Sequence, residues 1–178
     1  PWEGDARTEL VELVLTGRLD SADGARALDL GCGSGANAIF LAEHGFEVTG
    51  IDFSGVALAK AAAKSHLPHW LQADLTGNAV AQVPGPFDLL VDYGTLDDLK
   101  PVRRPLMAAN IVAWTRPGAV FLLWCFYDEI PWWRRPGARF PGLKPGEEAT
   151  LFAHAFSIER LRQPTVGSGF ACFLLTRT

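Results

Sequence analysis

The chain has 178 residues, 48% of them hydrophobic and 20% charged, which suits one domain burying about 70% of its unfolded surface and excludes a disordered chain. A net charge of −4 excludes the basic face that nucleic-acid binding needs. The longest apolar stretch, residues 119–127, falls far short of the roughly 20 residues that span a bilayer, so neither nucleic acid nor membrane is an expected partner.

In chain order, Asp5 ahead of Leu10, Leu13 and Val14, with Gly17 behind them, predicts a capped amphipathic helix. Residues 26–30 are a short apolar run ending in a glycine cluster, and residues 36–44 have helical composition and stop at Gly45. Residues 46–51 are a second apolar run, closed by Asp52. An alanine-rich helix is predicted over 54–65, then a weaker strand at 69–72 with Asp74 just past it. Residues 87–91 read as a strand behind the turn Pro84-Gly85-Pro86. The spacing of Leu106, Asn110, Ile111 and Trp114 predicts a helix over 101–115, with Pro105 in its first turn, and a buried strand follows at 118–126. Residues 127–146, rich in Pro, Trp, Arg and Gly, have no periodicity. A short helix at 145–152 and strands at 156–161 and 170–176 close the chain.

Strands alternating with helices, several of them continuous apolar runs, predict an α/β fold with a mostly parallel sheet covered on both faces. No helix separates the last two strands, so one of them is expected to run antiparallel. One domain is expected over 1–178, with an insertion at about 127–146. The three cysteines, Cys32, Cys125 and Cys172, have no paired spacing, which favours free thiols and a reducing, cytoplasmic setting. The four histidines are scattered without ligand spacing, and no metal is expected. The chain opens on Pro1 without a Met, so a short N-terminal piece, with room for a signal, is expected ahead of it.

Ligands on such sheets sit beyond the carboxyl ends of the strands. Gly31 to Gly35, Asp52, Asp74 and Asp92 each follow an apolar run, so four polar or glycine-rich tips are expected to line one crevice. In Asp29-Leu30-Gly31-Cys32-Gly33-Ser34-Gly35 the alternating glycines let the backbone bend and approach a ligand, and the helix behind them points its N–H groups at the same place. Asp52, 23 residues after Asp29, stands where an acid accepts ribose hydroxyls. The same arrangement serves a nicotinamide dinucleotide, so an oxidoreductase is an alternative, as is a binding module without catalysis. The form of the loop separates them: Asp29 suits a cationic amino group and would repel a pyrophosphate.

The run Leu28-Asp29-Leu30-Gly31-Cys32-Gly33-Ser34-Gly35 resembles the first motif of the class I S-adenosylmethionine-dependent methyltransferases. Val48-Thr49-Gly50-Ile51-Asp52-Phe53-Ser54, Gln72-Ala73-Asp74-Leu75 and Phe87-Asp88-Leu89-Leu90-Val91-Asp92 match the later motifs in order, and Pro1-Trp2-Glu3 resembles small bacterial members of the thiopurine-methyltransferase-like and tellurite-resistance-like branches. The resemblance implies a Rossmann-like, seven-stranded, mostly parallel sheet with its last strand antiparallel, and S-adenosyl-L-methionine as cofactor. It assigns Gly31, Cys32 and Gly33 to close passage of the methionine part, Asp29 to its amino group, Asp52 to the ribose and Phe53 to the adenine face. Asp74 and Leu75 would take the adenine edge, and Asp92 would shape the cofactor pocket. Trp2 would be either a lid over the methionine end or a hydrophobic staple for the first helix.

On the acceptor side, Asp92-Tyr93-Gly94-Thr95-Leu96-Asp97-Asp98 follows the fourth strand. Many small-molecule members carry His near Asp97; the acid here is closer to members acting on amines or on protein lysine. Asp92, Asp97 and Asp98 are the candidates for a general base or a holder of a cationic nucleophile, Asp92 and Asp97 foremost, against a reading of Asp97 and Asp98 as solvated loop acids and of Asp92 as only shaping the cofactor pocket. Tyr93, Asp97, Trp132, Trp133 and Arg134 are the candidate substrate contacts, since aromatics interleaved with arginines suit a cap over a flat substrate. The basic pairs Arg103-Arg104 and Arg134-Arg135 make no stripe. The expected activity is methyl transfer to an N, S or O nucleophile of a small, aromatic molecule, by a monomer or homodimer, with a protein lysine or amine as the alternative acceptor.

Overall fold

The computed structural model describes residues 4–21, 24–77, 81–127, 142–161 and 169–178. Among these residues lie seven strands: β1 (Arg26–Leu30), β2 (Glu47–Asp52), β3 (His69–Gln72), β4 (Phe87–Tyr93), β5 (Thr115–Phe126), β6 (Phe156–Arg160) and β7 (Phe170–Arg177). They form one sheet in the order β3-β2-β1-β4-β5-β7-β6. β1 to β5 pair in parallel, and β7 runs antiparallel to both β5 and β6. The mostly parallel sheet with its antiparallel last strand is the architecture that the sequence predicts.

The helices are α1 (Thr8–Leu15), α2 (Ala36–Glu43), α3 (Gly55–Lys64), α4 (Arg104–Trp114) and α5 (Glu147–Phe152). Strand alternation splits the core into two layers. Leu89 and Val91 of β4, Leu122 of β5 and Cys172 and Leu174 of β7 pack with Leu10 and Leu13 of α1 and Ala38 and Leu41 of α2. Leu90, Phe121, Leu123, Cys125, Phe173 and Leu175 point the other way, onto Met107, Ile111 and Trp114 of α4 and Leu151 and Phe152 of α5. Central β1 is covered on both sides, so Ala27, Leu28 and Leu30 are fully buried.

Two local expectations are corrected. α1 starts at Thr8 rather than behind an Asp5 cap, and its N-cap residue Arg7 has no side-chain capping bond. The Arg7 amide instead donates to Asn37 Oδ1 at 3.0 Å; a contact to α2 overrides the local capping signal. β5 begins at Thr115, not at Gly118, because Thr115 already pairs with Phe87 before the register shifts. Its hydroxyl closes the last turn of α4, donating to Ile111 O (3.2 Å) and Val112 O (2.9 Å). Helix and strand therefore join without a loop.

The chain runs from β1 outward to β3 and returns to lay β4 on the other side of β1. The connections leaving β1 and β4 thus part at the switch point where open α/β sheets bind ligands.

Candidate active site

The turn leaving β1 is built against its neighbours. Gly31 has φ +69°, and a Cβ there would run into Thr95 Oγ1. That hydroxyl donates to Leu30 O at 3.0 Å, so the loop after β4 presses on the glycine turn. Gly35 (φ +85°) opens α2, and Trp70 and Ala61 fill the space that a side chain there would need. The Cys32 amide donates to Ile51 O at 2.9 Å. Cys32 is buried, and burial together with the charges of Asp29 and Asp52 pushes its thiol well up.

Asp52 joins the tips of β1 and β2. Its Oδ2 accepts from the Gly33 N–H at 2.9 Å and its Oδ1 from the Ser54 N–H at 2.8 Å, at 7% exposure. Ser54 in turn caps α3, its Oγ accepting from the Ala57 N–H at 3.3 Å. Phe53, next in the chain, leaves its ring 80% exposed. An apolar ring held this far out offers a face to a flat ligand.

Asp29 lies at the end of β1 and is 2% exposed, and its Oδ2 has no partner among the described residues. Burial pushes its carboxyl up to about 7, with the Ala38 N–H opposing and the Asp52 charge adding to the rise. A buried orphan oxygen needs a donor to offset its desolvation. It lies beside a glycine turn, where a ligand's cationic amino group can supply that donor.

Asp74 is on the surface just past β3. Its Oδ1 accepts from the Thr76 N–H (2.9 Å) and hydroxyl (2.7 Å), and its Oδ2 accepts from Arg103 Nη2 (2.8 Å). These donors, the Thr76 hydroxyl foremost, hold the carboxyl below its usual range. Leu75 is buried in the core layer against α4.

The two acids proposed for catalysis are walled in. Asp92 is fully buried, Oδ1 accepting from the Thr95 N–H (2.7 Å) and Oδ2 from the Leu96 N–H (3.0 Å). Burial and then the nearby Asp97 charge raise it well above the carboxylate range. Asp97 is also fully buried; its Oδ2 accepts from the Phe126 N–H (3.0 Å), and burial, partly opposed by that bond, pushes it up to about 6. Both side chains anchor backbone, Asp92 folding the loop after β4 and Asp97 tying that loop to β5. Asp97 Oδ1 has no partner among the described residues. Trp2, Trp132, Trp133 and Arg134, and most of the 127–146 insertion, lie outside the described residues.

An aromatic shelf, beyond Tyr93 itself, was missed in the sequence. Tyr93 stacks on Trp124 (centroids 6.1 Å), Trp124 on Phe170 (4.8 Å), and Phe126 leans on both Trp124 (5.7 Å) and Phe170 (4.9 Å). The register that pairs Tyr93 with Trp124 and Phe126 with Phe170 brings four rings to the carboxyl end of β4 and β5. The Gly94 N–H donates to Trp124 O at 3.1 Å, so the shelf adjoins the loop whose Thr95 touches Gly31. Its one sequence signal is the alternation of Trp124 and Phe126 at the end of a buried strand. Among the described residues no His, Cys, Asp and Glu group is arranged to hold a metal, and no helix is long and apolar enough to cross a membrane.

The sequence profile of the methyltransferase-domain family matches residues 27–118, which run from β1 to the start of β5. The chain belongs to the methyltransferase family. S-adenosylmethionine is the methyl donor of that family. This methyltransferase is 31% identical over 131 residues to an uncharacterized methyltransferase of Synechocystis, a match covering 71% of this chain and 59% of that protein. It spans 33% and 30% of the lengths of two further curated relatives. Among solved structures, the TehB-like methyltransferase of Corynebacterium glutamicum shares the fold at 21% identity and TM-score 0.73, covering 93% of this chain and 85% of the other. Magnesium protoporphyrin IX methyltransferase of Synechocystis, solved with S-adenosylhomocysteine, does so at 20% identity and TM-score 0.76, covering 96% and 81%.

Proposed function

We propose that this methyltransferase binds S-adenosylmethionine between Asp29, the Gly31–Gly33 turn, Asp52, Phe53 and Asp74, and transfers its methyl group to an N, S or O atom of a small, planar molecule. The observation that carries the reading is the buried Asp29 Oδ2, without a partner among the described residues, beside a glycine turn. When bound, the cofactor supplies an activated methyl on a sulfonium. Asp29 takes the methionine amino group, the turn gives close backbone approach, Asp52 offers its remaining lone pairs to the ribose, and Phe53 covers the base. A pyrophosphate is disfavoured there, since the buried Asp29 and Asp52 carboxylates lie beside the turn.

The shelf of Tyr93, Trp124, Phe126 and Phe170 supports a flat acceptor, because rings stack offset or edge-on with useful energy. Asp92 and Asp97 act through the loop they hold, not as bases, since their bonds to backbone N–H groups and their burial keep them from exchanging protons with solvent. The rate then comes from in-line positioning and exclusion of water. Tyr127 and Leu143, on either side of the aromatic- and arginine-rich stretch that suits a substrate cap, pair in a parallel bridge. Three buried free thiols are consistent with a reducing, cytoplasmic setting.

Calorimetric titration with S-adenosylhomocysteine and with NADH, followed by radiolabelled methyl transfer to a panel of thiols, phenols and heteroaromatic amines, tests the proposal. Micromolar binding of the homocysteine product and label in aromatic acceptors are expected. NADH binding without S-adenosylhomocysteine binding would overturn it.

The raised Asp29 carboxyl makes cofactor binding depend on pH. Below about 7 Asp29 carries a proton that the cationic amino group must displace. Affinity for S-adenosylhomocysteine should therefore rise between pH 6 and 8, with proton release that shows as a buffer-dependent binding heat. For folding, the sign is opposite. The native state keeps this proton up to about 7 whereas the unfolded chain releases it near 4, so Asp29 lowers stability as pH rises across that window. A pH-independent affinity would remove Asp29 from the amino-group contact.

A further inference from the structure

The loop after β3 is clamped from α4. Asn110 Nδ2 donates to Leu75 O (2.8 Å) and Gly77 O (3.0 Å), and Arg103, in the one-turn 3-10 helix before α4, donates to both Asp74 Oδ2 and the Thr76 hydroxyl. The Asp74 carboxylate is thus gripped on its inner side by Thr76, itself 7% exposed, while its side chain stays 57% exposed. Gln72 Nε2 donates to Phe53 O at 2.9 Å, which ties the exposed Phe53 to the strand that leads to Asp74. The ring face and the carboxylate edge therefore belong to one frame. An isolated surface ion pair contributes little to stability. This one fixes the direction of a carboxylate whose outer lone pairs face the solvent.

We infer that Arg103 is a positioning residue for base recognition, orienting Asp74 so that the site selects a 6-amino purine over a 6-oxo purine; this rests on the cofactor reading above. A carboxylate that stays ionised accepts from an exocyclic amine and repels a carbonyl oxygen, so its fixed direction becomes selectivity. Arg103 is needed because Thr76 alone holds one oxygen and leaves the other free to swing.

The test is calorimetric titration of wild type, Arg103→Met and Arg103→Lys with S-adenosylhomocysteine and with S-inosylhomocysteine, whose carbonyl replaces the amine. Wild type should prefer the adenosyl compound by at least about tenfold, a modest ratio for an exposed polar contact. Arg103→Met should weaken the adenosyl compound about fivefold, the upper range for an exposed charged pair, and leave the inosyl compound unchanged. Arg103→Lys should keep most of the preference. Equal loss for both compounds, or an adenosyl affinity within twofold of wild type, overturns the inference. Absence of S-adenosylhomocysteine binding by the wild type instead removes the cofactor reading beneath it. Thermal unfolding of each variant accompanies the titrations, and Arg103→Gln carries the comparison if Arg103→Met does not fold.

Discussion

Asp52→Ala is expected to weaken S-adenosylhomocysteine binding by well over tenfold, an order of magnitude consistent with losing buried, charge-assisted bonds. Two effects combine. The ribose loses its acceptor, and the glycine turn loses the bond from the Gly33 N–H to Asp52 Oδ2 (2.9 Å) that holds it against β2. The Ser54 N–H, bonded to Oδ1 at 2.8 Å, is released at the same time. Both donors are part-buried, so each left unmatched costs about 1 kcal/mol, the low end for a buried group, and thermal stability should fall together with affinity. Calorimetry and thermal unfolding on one preparation read both. An unchanged dissociation constant would reject the ribose assignment, and a fall in melting temperature without one would leave Asp52 as a loop anchor alone.

The largest stability loss is expected from Arg104→Met. Arg104 is 1% exposed, and its Nη1 binds Glu147 bidentately at 2.8 and 2.9 Å. Its Nε donates to Leu99 O (3.1 Å) and its Nη2 to Asp97 O (2.7 Å). One guanidinium thus fastens the loop after β4 to the start of α5. Methionine matches its length and supplies none of these donors. Breaking a buried pair costs about 3–5 kcal/mol; Glu147 keeps the Lys144 N–H at 3.0 Å and is 20% exposed, so the lower figure applies. At about 2–4 °C per kcal/mol for a chain of this size, the melting temperature should drop by about 6–12 °C. The double variant with Glu147→Leu should recover part of that loss, since Glu147 is then no longer left as a charge without its partner. A drop below about 2 °C would show that the pair contributes little.

How far each residue could be read in advance follows from the range of the force that places it. Asp29, the glycines and Asp52 were legible because a turn needing positive φ and an acid at a strand tip are local requirements. Arg103 and Arg104 read as one short basic pair, yet they part. Arg103 reaches the loop after β3, and Arg104 turns into the protein, where Glu147 lies on an element 43 residues away. Asp92 and Asp97 were legible as acids at and beyond the end of the fourth apolar run, though β4 continues through Asp92 to Tyr93, where pairing with β5 carries the strand past residue 91. Their depth was not, because alternation assigns a face and says nothing of the N–H groups of Thr95, Leu96 and Phe126 that turn back onto them.

By itself the sequence determined the alternating order of strands and helices, the mostly parallel sheet and the glycine-acid constellation at its carboxyl edge, since periodicity and backbone sterics act within a few residues. The tertiary structure alone decided that Asp52 bridges the tips of β1 and β2, that Asp29 keeps an oxygen without a partner among the described residues, and that four rings from three strands form a shelf at the carboxyl end of β4 and β5. Those features depend on strand register and burial, and both arise from contacts between residues far apart in the chain.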